Sequence, residues 1–332
     1  MSKMNFTSAC NLKIALTLGL LALASTCRAQ TPPLTAGEAV LLPGTQGKFD
    51  FIRMDAAAGR LLLGHAGNKS FDVFHINSRL LKAVPTGTAQ DAVADVKNKR
   101  YYVSGNDPGR MVIVDAVTLA VTGEVPTPAA TDLIAFNPVT GMVYEDNDAA
   151  GEVWVIDPVA KKIVNTIKVD GSGVEDLAFD PEYKRLYQAV KGKSTIAVID
   201  PTTNQVLETW PCAPAKGPHG IAVAPDCNGL LVACAEKLLL LDRTSGKVTA
   251  TAAIAKGVDE MAYDPGLHIA YCASRQGKIS AVAVEVGKLT ALGDVPDEQG
   301  TGNITVDPKT HTVWIAYKKG TECFVQPFMP AK

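Results

Sequence analysis

The chain has 332 residues, 47% hydrophobic and 20% charged, with a formal net charge of −2. This is ordinary globular composition with ample material for a core, and the length can be one large all-β domain as readily as two smaller ones. It carries no excess of basic charge that would draw it to nucleic acid.

The first elements in chain order form a leader. Lys3 and Lys13 precede an apolar run from Ile14 to Ala24, too short for a stable span of roughly 20 residues but suited to a secretory signal. Cys27-Arg28-Ala29 puts small residues where signal peptidase reads, so residues 1–29 read as a cleaved signal peptide and 30–332 as the mature domain. The rival reading anchors the chain by a lipid on Cys27; the leucine expected three residues before it is absent. Cleavage removes Lys3, Lys13 and Arg28, leaving 29 basic residues against 34 acidic ones, a formal net charge of −5.

From residue 50 onward one pattern recurs. Asp132-Leu-Ile-Ala-Phe-Asn-Pro, Glu175-Asp-Leu-Ala-Phe-Asp-Pro, His219-Gly-Ile-Ala-Val-Ala-Pro, Asp259-Glu-Met-Ala-Tyr-Asp-Pro and Gly302-Asn-Ile-Thr-Val-Asp-Pro align. Segments beginning at Asp50 and Asp91 fill the same slot without the proline, giving spacings of 41, 41, 43, 44, 40 and 43 residues. Each unit holds four short apolar runs rich in Val, Ile and Tyr between turn residues; in the third they are 133–136, 142–144, 152–156 and 163–169. The third run ends in Asp at Asp115, Asp157, Asp200 and Asp242, a residue that starts a turn by bonding its own backbone two residues on. Four strands in about 40 residues is the arithmetic of a propeller blade.

The last unit has room for only three strands, at 304–306, 313–317 and 322–328. Ala39-Val-Leu-Leu-Pro-Gly, near the other end, matches the fourth strands of other units. It is expected to complete the last blade and close an all-β, seven-bladed ring of four-stranded antiparallel sheets. Arg185-Leu-Tyr187 and Val198-Ile-Asp-Pro201, with Arg100-Tyr-Tyr-Val103, resemble YVTN-repeat propellers over essentially the whole mature chain. The resemblance implies the propeller fold and an exported bacterial protein; it says little of activity, because propellers host binding, scaffolding and catalysis alike.

A site is expected at the channel mouth, where the innermost strands begin. The repeated slot holds Asp50, Asp91, Asp132, Glu175, His219 and Asp259, with Asn303 beside Gly302. Only Pro218-His219-Gly220 keeps the histidine that YVTN-like repeats often carry there. Five carboxylates and an imidazole around one axis would repel unless a cation or basic ligand sat among them. Oxygen donors suit Ca²⁺ or Mg²⁺, and the histidine leaves room for Zn²⁺. The opposing reading makes these residues caps that accept backbone N–H groups from the next blade. Loops between second and third strands add His65, Asn68, Asn106, Asp107, Asp146, Asn147, Lys191, Glu236, Arg275 and Lys318 on the same face. His65, flanked by small residues, is expected to be accessible.

Five cysteines lie beyond the leader: Cys212, Cys227, Cys234, Cys272 and Cys323. Cys212 follows a fourth strand and Cys234 ends a second strand one blade on, so a bridge between them is expected within the reach of a disulfide; Cys272 is the competing partner. The sequence holds no nucleophile elbow, zinc-protease helix or phosphate loop. Three functions stay open: a monomeric exported protein that binds a small molecule or a protein partner on the mouth face, a metal-assisted lactonase-like hydrolase or lyase using the same rim, and single-stranded nucleic acid binding. The acidic rim and 6% aromatic content argue against the last.

Overall fold

The computed structural model describes residues 32–147 and 149–331; the expected signal peptide lies outside them. The repeat becomes seven antiparallel sheets arranged as the blades of a propeller. Blade 1 is formed by Ile52–Asp55, Arg60–His65, Ser70–His75 and Leu80–Val84. Blades 2 to 6 follow the same order, their innermost strands being Ala89–Asp95, Ile134–Phe136, Val174–Asp180, Ile221–Ala224 and Val258–Asp264. Blade 7 contains Thr305–Val306, Val313–Lys319 and Glu322–Pro330, completed by strands from the other end of the chain.

That completion is wider than the sequence suggests. Val40–Leu41 pairs with Glu322–Pro330 as expected, and Leu34–Ala36 adds to the same strand, with Leu34 opposite Pro330. Leu34 and Leu42 are each 1% exposed. The closure is therefore a packed strand edge as well as a hydrogen-bonded one.

Seven apolar clusters hold the ring together, one in each seam between neighbouring blades. Tyr187, Ile196 and Trp210 of blade 4, for example, pack on Ile221, Leu230 and Leu239 of blade 5. Inner strands are covered on both faces, which is why Leu238–Leu241 is an unbroken apolar run, whereas the outermost strand Val248–Ala253 alternates half-buried and exposed residues. Turns follow the expected chemistry. The Asp115 carboxylate accepts Val117 N at 2.9 Å, Asp157 accepts Val159 N at 2.8 Å, and Asp200 accepts Thr202 N at 2.7 Å. A left-handed residue then closes each of these turns, at Leu119, Lys161 and Asn204.

Three of the innermost strands begin with a β-bulge, between Ala89 and Ala92, Val174 and Leu177, and Val258 and Glu260. An extra residue in a ladder re-aims the side chains on either side of it. Beside two of these bulges Asp176 and Glu260 are buried and their neighbours Glu175 and Asp259 half-buried; beside the first, Gln90 and Asp91 are both buried.

Candidate functional site

Two polar tiers sit where the innermost strands begin. Counting back five residues from the turn residue that ends each innermost strand gives Asp50, Gln90, Asp132, Glu175, His219, Asp259 and Gly302. Counting back four gives Phe51, Asp91, Leu133, Asp176, Gly220, Glu260 and Asn303. Asp91 therefore belongs to the deeper tier, and Gln90 takes its place on the rim.

The rim is internally tied. Gln90 Nε2 donates to Asp50 Oδ2 at 2.8 Å and to Asp132 Oδ1 at 3.0 Å, joining blades 1 to 3. Gly64 lets the chain approach this residue: a Cβ there would come within 1.9 Å of the Gln90 carbonyl oxygen. His219 Nδ1 lies 3.1 Å from Glu175 and 3.9 Å from Asp259. Lys191 and Arg275, from turns between second and third strands, reach Glu175 at 3.0 Å and Asp259 at 2.8 Å. Burial works against the Glu175 charge, yet the hydrogen bond from His219 and then Lys191 hold its carboxyl below the ordinary range. Asp50 goes the other way. Burial, and then the Asp132 charge, push it up to about 7 against the pull of Lys48.

The deeper tier is an ion cluster across the axis. Arg53 of blade 1 grips Asp91 of blade 2, with Nε 3.0 Å from Oδ1 and Nη2 2.7 Å from Oδ2; Nη2 also reaches Asp176 of blade 4 at 3.1 Å. Burial opposes the guanidinium charge, but Asp91 and Asp176 outweigh it and hold its pKa well above the usual arginine value. Asp176 Oδ2 accepts Ile221 N of blade 5 at 3.0 Å, and Glu260 Oε2 accepts Ile304 N of blade 7 at 3.2 Å. The capping role thus falls on the neighbours of the residues in the repeated slot. Glu260 and the nearby Glu145 are pushed well above the ordinary carboxylate range by burial, which disfavours the charged form. Asn303 binds the backbone of Ala316 through both ends of its amide, at 2.8 and 2.9 Å, in place of a ladder pair.

The expectation that His65 is accessible is overturned. It is fully buried, its ring stacked on Phe49 at 3.8 Å between centroids, with Nδ1 2.7 Å from Asp72 and Nε2 3.7 Å from Cys323 Sγ. The small neighbours Gly64 and Ala66 do not open the site because Phe49 covers it. Cys323, His65 and Asp72 stand in the order of nucleophile, base and orienting acid. The thiol is wholly buried, however, and burial raises its pKa, so the set is a packed network and the sulfur is held as an unreactive thiol.

The donors do not fit a divalent cation. Among the described residues no three His, Cys, Asp or Glu side chains form a group that could hold a metal. The physical reason is on the rim and below it: Arg53, Lys191, Arg275 and Gln90 supply the positive charge and N–H donors that a metal was expected to supply. The expected disulfide is likewise absent from this structure, where all five described cysteines are free thiols. Cys212 and Cys234 are nevertheless neighbours. Their hydrogen bond and then burial raise the Cys234 pKa, and both are fully buried in one seam.

Sequence reasoning missed Arg53 and the space beneath it. Below the ion cluster the innermost strands enclose a cavity of about 1130 Å³, lined by Ile52, Leu177, Ile221 and Met261 near the cluster and by Phe136, Phe179 and Tyr263 further along. Pro138, Pro181, Pro265 and Pro308, which follow the innermost strands, line its far end. It therefore runs toward the face opposite the acidic rim. The signal for Arg53 was in the repeat. Two residues before the turn, the other blades carry Val93, Ala135, Ala178, Ala222, Ala262 and Thr305, so one arginine among small or apolar residues marks the channel wall.

No family model matches this chain, and no curated protein matches it in sequence. Solved structures do match in shape. A chain of the mitotic checkpoint complex crystal structure aligns with a TM-score of 0.77 at 13% identity, over 97% of this chain and 99% of that one. A chain of Kuenenia stuttgartiensis hydrazine synthase aligns with a TM-score of 0.70 at 14% identity, over 84% of this chain and 96% of its own. At these identities the likeness shows the fold, and the chain is a seven-bladed β-propeller.

Proposed function

We propose that this chain is an exported binding propeller of the YVTN-repeat type that carries a small-molecule ligand in its axial channel. The leader and the repeat motifs support export and repeat type; the cavity of about 1130 Å³ supports the site. A largely apolar concave space with a few convergent polar groups is the usual form of a small-molecule site, which spans roughly 300–1,000 Å³. The acidic rim is the weaker candidate, because its carboxylates already have partners within the protein. Metal-assisted hydrolysis on the rim is not favoured, since among the described residues no ligand set converges there.

The test is a titration with N-phenyl-1-naphthylamine, a neutral dye that brightens in apolar surroundings. Ala178 and Ala222 line the channel, and Ala178→Trp/Ala222→Trp fills it. Saturable brightening at a single site, lost in this variant while its circular dichroism and melting stay unchanged, is expected. Brightening that survives in the filled variant, or none in the natural protein, would sink the channel reading.

A further inference from the structure

The channel ends on an incompletely satisfied donor. Arg53 has Nε and Nη2 bound to Asp91 and Asp176. Its third nitrogen, Nη1, has no hydrogen-bond partner among the described residues, and the residue lines the channel with its side chain 30% exposed. Thr305 occupies the same slot one blade away, also lines the channel, and its hydroxyl has no protein partner among the described residues. The other charged lining residues lie at the far end: Asp55 and Asp95 in turns with Ala58 and Asn98, and Lys97 on the surface.

The charge of this end decides what it can accept. An anionic head would meet the guanidinium with the Asp91 and Asp176 carboxylates directly behind it, in a poorly screened interior. A cationic head would meet the guanidinium first. A neutral acceptor avoids both costs and satisfies the open N–H, and a hydrogen bond from a charged donor is stronger than one between neutral groups. We infer that the channel selects neutral molecules with an apolar body and a terminal carbonyl-type oxygen, received by Arg53 Nη1 and the Thr305 hydroxyl. This rests on the channel reading above.

The experiment displaces N-phenyl-1-naphthylamine with 2-octanone, octanoate and octylammonium, which share a chain length and differ in head. The ketone should compete about tenfold better than either ion, as the loss of one good hydrogen bond implies. Thr305→Val keeps the shape and removes the hydroxyl; it should weaken the ketone several-fold and leave octylammonium unmoved. Arg53→Lys should abolish the preference, and Thr305→Val carries the test if that variant does not fold. Equal competition by all three heads, or better competition by an ion, overturns the head-group assignment while leaving the channel a binding site. Failure of the dye itself to bind the natural protein overturns the channel reading instead.

Discussion

Asp50 shows how a single rim residue sets a pH dependence. Its pKa rises from the ordinary 3.8 to about 7, so between these values the folded protein holds a proton that the unfolded chain has lost. Stability from this group is therefore full below the unfolded pKa and falls as pH rises toward the folded one. Asp50→Asn keeps an oxygen for Gln90 Nε2 and removes the titration. It should match the natural protein near pH 4 and exceed it by on the order of 2–4 kcal/mol near pH 8, in urea unfolding. Asp297 is also pushed to about 7 by burial, so the natural protein's slope alone cannot report Asp50; the difference between the two proteins can. A constant difference across pH would mean that Asp50 is ionised throughout. The rim carboxylates were legible in the sequence as a column. Lys191 and Arg275 were legible as turn residues on the same face, but their pairing with Glu175 and Asp259 was not, because only the fold sets which carboxylate each reaches.

At the scale of elements, alternation is what made the deeper tier hard to read. Adjacent residues of a strand point to opposite faces, so one of Glu175 and Asp176, and one of Asp259 and Glu260, must face inward. A bulge at the start of each of these strands shifts the register there, so the period of two does not by itself say which. The adjacent acids were visible in the sequence; which of each pair was buried was not. The seam between blades 4 and 5 yields a second prediction. Cys212 follows the last strand of one blade and Cys234 the second strand of the next, and their thiols already meet. We propose that export to an oxidising compartment joins them. Alkylation of the exported protein after denaturation without reductant should then label Cys227, Cys272 and Cys323 and spare Cys212 and Cys234. Labelling of all five would show that the pair stays reduced, as two small buried hydrophobes.

For the whole molecule, closure matters more than any one blade. Each blade packs only on its neighbours, so an open row would have two exposed apolar faces and could fray from either. The ring removes both faces by packing blade 7 on blade 1, where Leu42, Phe49, Ile52 and Leu61 meet Trp314 and Val325. The architecture was legible because its signal is repeated: a weak strand pattern seen once is ambiguous, but the same pattern at seven positions is not. The channel was not legible, because its contents depend on how seven strands converge and no single repeat records that. Closure has a thermodynamic consequence. If the seventh seam belongs to the same cooperative unit as the other six, weakening the closing strand weakens the whole ring. Leu42, which follows the closing strand and is buried in this seam with Trp314 and Val325, is the place to test it. Leu42→Ala should cost about 3 kcal/mol and shift one urea transition to lower concentration with its slope unchanged. An additional early transition would mean that the closing strand peels away while six seams persist, and the molecule would then behave as an open array fastened at its ends.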